Sequence, residues 1–182
     1  MSNANTIAAM PGCSPSGNVV AETAFGIASA NTVRAALVTP LTASLDGREL
    51  VLRLGIVVTT GGVITYGPSI RLYSGGNTAL TTFTNDTAII TPAAPTISTA
   101  TRLITINARL MWSLDPTAAN SRLNGSYMMQ VDTAFTAWAT LTAGLSAGAG
   151  SPGVLNFCVT GIFGTTNASN TAVLKYFELD IV

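Results

Sequence analysis

The chain has 182 residues; 48% are hydrophobic, only 9% are charged, and eight basic side chains balance eight acidic ones. An ordinary soluble protein is about 25% charged, so this exterior suits either a subunit that buries surface against copies of itself or another protein, or a surface solvated by Thr, Ser and Asn. Histidine is absent, which removes the usual general base, the Ser-His-Asp and Cys-His arrangements and the commonest metal ligand.

Residues 1–18, MSNANTIAAMPGCSPSGN, are small and polar without periodicity and read as an extended arm, either disordered or ordered along a neighbouring subunit. No secretory signal is expected, because the first basic residue is Arg34 and the apolar run Ile7 to Met10 is cut by Pro11. From Val19 to Val38 a weak helix competes with two short strands, and the alternation of Val33, Ala35 and Leu37 with Arg34 and Ala36 favours strand. Asp46-Gly47 suits a tight turn with positive φ.

Glu49 to Thr59, ELVLRLGIVVT, places Leu50, Leu52, Leu54, Ile56 and Val58 on one parity. Gly61-Gly62 then predicts a turn. The next strand, from Val63, breaks at Gly67-Pro68 and resumes with Ile70 and Leu72; the break suggests a bulge or an edge, since proline cannot donate to a ladder. Ala79 to Thr84 and Ala88 to Thr91 are short strand candidates, and Pro92 to Pro95 is a loop.

Thr101 to Asp115, TRLITINARLMWSLD, is the clearest strand: Ile104, Ile106, Ala108, Leu110, Trp112 and Leu114 make one apolar stripe. Its length and one-sidedness place it at the centre of a sheet. Further strands are expected at Ser126 to Val131, Phe135 to Leu141 and Val154 to Phe163. The segment Ala172 to Val182 should face Val173, Phe177, Leu179 and Ile181 one way and Tyr176, Glu178 and Asp180 the other. Eight to nine strands with frequent turn signals and no convincing long helix predict an all-β fold, an antiparallel β-sandwich of jelly-roll type over 19–182, with the arm at 1–18.

Little in this text carries chemistry. The uncharged stretch from Thr133 to Leu174 is interrupted every few residues, far short of the ~18 apolar residues of a membrane span. Seven arginines and the single Lys175 are scattered, so no basic run serves nucleic acid. Cys13 and Cys158 leave a bridge open without establishing it. Carboxylates are the remaining route to hydrolysis or calcium: Glu178 and Asp180 share a strand face, and Asp115 and Asp132 are the others that convergence would need. The expectation is that they are structural, that there is no catalytic residue, cofactor or metal site, and that the protein is not an enzyme.

Trp112, Trp138, Phe135, Tyr127, Tyr66 and Tyr73 are a potential sugar-stacking set, most of them better read as core, with Trp138 the least committed. Met128-Met129 fits a packed strand or a forgiving contact surface. Sequons at Asn85, Asn124 and Asn167 matter only in a glycosylating host.

With its Thr, Ala and Gly richness, poverty of charge, arm MSNANTIAAMPGCSPSGN and closing strand AVLKYFELDIV, the chain resembles structural proteins of tailed bacterial viruses: decoration, cement and fibre-head proteins. The resemblance is one of style, without a motif to carry over. It implies a homotrimer on the capsid exterior of a virion, partnered with the major capsid protein or other virion proteins. The alternative is a tail-fibre or spike head that binds host surface glycans.

Overall fold

A computed structural model describes residues 5–9, 23–24, 47–74, 86–98, 100–113, 122–144, 155–165 and 167–182. Twelve strands lie among them: β1 (Asn5–Ala9), β2 (Thr23–Ala24), β3 (Glu49–Thr59), β4 (Ile64–Ser74), β5 (Asp86–Ile90), β6 (Thr96–Ile97), β7 (Thr101–Ser113), β8 (Arg122–Val131), β9 (Ala134–Phe135), β10 (Ala139–Gly144), β11 (Leu155–Phe163) and β12 (Thr171–Ile181). One antiparallel sheet runs β1-β12-β3-β7-β8-β10, with β9 on β8, and the other runs β2-β11-β4-β5, with β6 on β4. The fold is an all-β antiparallel sandwich. Its ribbon β3–β4 crosses from the first sheet to the second and is paired strand for strand with the ribbon β12–β11, the wrapping expected of a jelly roll.

The period-two pattern explains where the core sits. Leu50, Leu52, Leu54, Ile56 and Val58 of β3 are fully buried, and so are Ile104, Ile106, Ala108 and Leu110 of β7 opposite them. Tyr66, Ile70, Ile89, Ile90, Ile97, Val159 and Phe163 meet them from the second sheet in one cluster. Each such side chain contributes roughly 1.5–3 kcal/mol by leaving water, so truncating Leu54 or Ile106 to Ala would cost roughly 2–5 kcal/mol. As its stripe predicts, β7 is central, flanked by β3 and β8. Leu114 and Asp115 lie outside the described residues.

Three expectations need correction. In β12 the buried apolar set is Ala172 and Leu174, then Phe177 and Leu179, while Val173 is only half-buried. The ladder on β3 jumps from Leu174↔Ile56 to Tyr176↔Gly55, so Lys175 is one extra residue that changes the inward parity. The strand does not break at Gly67-Pro68: β4 is continuous and pairs along β11, with Pro68 opposite Gly161. Tyr66 donates its N–H to Pro95 O at 3.0 Å, so amides of that parity point away from β11. Pro68 comes next on that parity, between the pairs Thr65↔Thr96 and Ile70↔Ile90, where β4 has no ladder partner among the described residues on the side away from β11; the edge alternative holds there, and a missing N–H costs nothing. Lastly, β8 begins four residues before Ser126, and the segment expected at Phe135 to Leu141 divides into β9 and β10.

Gly47 adopts φ 71°, as its turn requires. Of the arm, Asn5–Ala9 is strand β1, antiparallel to β12 of the same chain, so β12 lies between β1 and β3. The remainder of the arm, most of Val19 to Val38 and the candidate strand Ala79 to Thr84 lie outside the described residues.

Candidate functional site

The registers gather several connections at one end of the sandwich. Thr59 pairs with both Thr101 and Thr171, and Ile104 pairs with Val131, so the β3–β4 and β11–β12 turns, residues 91–98 and the β8–β9 turn lie together. Asn170 is buried and ties two of them: its Oδ1 accepts the Gly61 N–H at 3.3 Å and its Nδ2 donates to Thr165 O at 2.9 Å. Thr60 Oγ1 donates to Ser98 O at 3.4 Å, linking a third.

At this end a cleft of about 630 Å³ opens between residues 93–98 and the β8–β9 turn. Ala93, Ala94, Pro95, Met129, Val131 and Phe135 give it apolar walls; Thr96, Ser98, Thr133 and Thr136 add hydroxyls; Arg102 and Asp132 are its charged members. The turn is held from several sides. Asp132 has φ 50°, its N–H donates to Leu103 O at 2.8 Å, and Gln130 Nε2 donates to its carbonyl. Thr136 donates its N–H to Met129 O at 2.8 Å, and its hydroxyl accepts the Met129 N–H at 3.0 Å. The Asp132 carboxylate accepts the Leu103 N–H at 3.0 Å and pairs with Arg102 Nη1 at 2.7 Å. The Leu103 N–H and the guanidinium together hold its carboxyl below its ordinary value, partial desolvation opposing them.

The carboxylates singled out in the sequence do not converge. Glu178 and Asp180 share the outer face of β12, where Arg53 reaches both, at 3.7 and 2.8 Å. Asp132 belongs to the β8–β9 turn, Glu49 pairs with Arg109 at 3.3 Å, and Asp115 lies outside the described residues. Among the described residues no three of His, Cys, Asp and Glu come together as a metal cluster. Cys158 falls on β11, whereas Cys13 lies outside the described residues. Among the described residues no helix is long and apolar enough to cross a membrane.

The aromatic set divides. Tyr66 is buried beneath Gly161, its ring centroid 4.8 Å from that of Phe163, and its hydroxyl has no partner among the described residues; burial pushes that phenol far above its ordinary range. Tyr127 packs half-buried against the core. Phe135 and Trp138 are 62% and 54% exposed, which corrects the core reading for Phe135 and settles Trp138 as surface. Of the paired methionines, Met129 is buried and Met128 half-buried. Of the sequons, Asn167 spends its Oδ1 on the Ser169 N–H at 2.9 Å, Asn124 lines a shallow trough of about 420 Å³ beside Gly125, and Asn85 lies outside the described residues.

No local pattern signals the structural roles of Asn170 and Arg53. Both act through partners more than 100 residues away, Gly61 and Asp180.

No protein-family model matches the chain, and no curated protein matches it either. Among solved structures it is similar to a lectin from Bauhinia forficata in complex with GalNAc, with 11% sequence identity and a TM-score of 0.38 over 96% of this chain and 92% of that one.

Proposed function

We propose that this chain is a non-enzymatic structural protein of a virus particle, a capsid decoration or cement protein that bridges neighbouring shell subunits as a homotrimer on the capsid exterior. The observation that carries the reading is an exterior short of charge and rich in large apolar side chains that the core does not use. Val63, Leu103, Met111 and Ile162 are exposed alongside Phe135 and Trp138. Arg53, Arg102 and Arg109 are committed to carboxylates of the same chain, which lowers the free charge further. Burying such a surface across neighbours makes expansion or internal pressure break those contacts first, and each interface needs about 1,000 Å² to be more than incidental.

The test is the copy number of this polypeptide in purified particles, by quantitative mass spectrometry against the major shell protein. A ratio near that of the shell protein is expected; absence from particles sinks the reading. In the second reading the chain is the head of a tail fibre or spike that binds host glycans. Exposed Phe135 and Trp138 favour it, and a handful of copies per particle would select it.

A further inference from the structure

We propose that the cleft between residues 93–98 and the β8–β9 turn is a binding site for an uncharged saccharide, whose apolar ring face lies on Phe135 and whose hydroxyls bond to the Asp132 carboxylate. This rests on the second reading above and gives it a site.

Charge comes first. Among the described residues that line the cleft, Arg102 and Asp132 are the only charged ones, and at 2.7 Å they neutralise each other. A phosphate, a sialic acid or a basic peptide finds no uncompensated counter-charge here, whereas a neutral ligand has none to lose. Next is the shape of the polarity. Phe135 stands 62% exposed with Val131 and Pro95 along the same walls, a plate for the C–H face of a sugar ring. A ligand that was apolar all round would leave the hydroxyls of Thr96, Ser98 and Thr133 unmatched; a ligand that was polar all round would waste the plate.

Acceptors decide the rest. Among the described residues each Asp132 oxygen has one partner, the Leu103 N–H on Oδ1 and Arg102 on Oδ2. An ionised carboxylate offers about four lone-pair sites, so each oxygen retains capacity for a donor hydroxyl. The lowered carboxyl pKa keeps it ionised, and a charged acceptor bonds a hydroxyl about twice as strongly as a neutral one. The turn that presents both residues is braced by the Asp132–Leu103 pair and by the two hydrogen bonds between Thr136 and Met129, so little ordering opposes binding. The volume, about 630 Å³, lies within the range of roughly 300–1,000 Å³ typical of small-ligand sites.

The experiment is a ¹H–¹⁵N NMR titration of the full chain with lactose, maltose and N,N′-diacetylchitobiose at millimolar concentrations, with sialyllactose as the charged comparison. At least one neutral disaccharide should move amides of 93–98 and 131–136, and sialyllactose should bind no tighter than lactose. Phe135→Ala should weaken binding about tenfold or more, as loss of a stacking anchor does, while Phe135→Trp restores it. Asp132→Asn should weaken it too, and Trp138→Ala, outside the lining, should leave it unchanged. Shifts confined to another face, or wild-type affinity in Phe135→Ala, overturn the cleft while the glycan reading stands. No binding by any of the disaccharides overturns both.

Discussion

Tyr66 and Asp132 show how one polar atom decides what a position costs. The Tyr66 hydroxyl is buried against Gly161 with no partner among the described residues, and an unsatisfied buried hydroxyl costs about 1–3 kcal/mol. Tyr66→Phe should therefore be neutral or stabilising by up to about that amount in urea unfolding. A Cβ at residue 161 meets that hydroxyl first, so Gly161→Ala should destabilise by about 1–3 kcal/mol through overpacking. Combining the two changes should recover part of the loss, and strict additivity would mean the contact is not what matters. For Asp132 the sign runs with acid. Its folded-state carboxyl titrates below the ordinary 3.8, so its contribution to stability is complete above about pH 4 and is lost as pH falls through the folded value. Asp132→Asn, which tolerates the same φ, should flatten the acid limb of the pH–stability curve, modestly because the side chain is partly solvated.

At the scale of the strand, alternation made most of the sandwich legible and local exceptions did not. The leucine stripe of β3 and the isoleucine stripe of β7 are period-two patterns, and both are buried as written from Leu50 to Val58 and from Ile104 to Leu110. The bulge at Lys175 left no local mark, because VLKYF alternates acceptably on either parity and only pairing with Ile56 and Gly55 decides between them. Pro68 marked a break in the sequence because local rules cannot see the unpaired interval beside it. The cleft was less legible still. Phe135 was visible as an aromatic, but its exposure depends on β8 turning back at Asp132 and on residues 93–98 arriving from another sheet.

The bulge yields a sharp prediction. Deleting one residue from a strand normally sends every later side chain to the wrong face. Deleting Lys175 instead restores strict alternation with Leu174 and Phe177 both inward, so this variant should fold cooperatively with a melting temperature near wild type. Deleting Thr105 from bulge-free β7 should abolish cooperative melting. Gly125→Ala should also be costly, since its Cβ would meet the Arg109 carbonyl of the neighbouring backbone, which cannot rotate away.

For the molecule as a whole, the proposed assembly role predicts that the isolated subunit self-associates more readily than its mass would imply. Sedimentation velocity should show concentration-dependent oligomers, and Val63→Lys with Met111→Lys on the exposed apolar surface should shift them toward monomer without lowering the melting temperature. An unchanged distribution would remove those two residues from any interface. Deleting residues 1–18 should weaken attachment to particles, and because it also removes β1 from β12, unfolding of the truncated chain has to be measured alongside.

The interior position of β3 bears on how the molecule is made. Its neighbours are β7 and β12, and the Arg53–Asp180 bond across the second boundary joins residues 127 apart in sequence. During synthesis at about 5–20 residues per second, β3 emerges long before β12 exists to pair with it. For those seconds an eleven-residue strand with a leucine stripe presents one open edge. Closing so long a loop comes late and slowly, so the yield of native subunit should depend on what shields that edge in the interval, and refolding at high concentration should lose material to strand-edge association before β12 arrives.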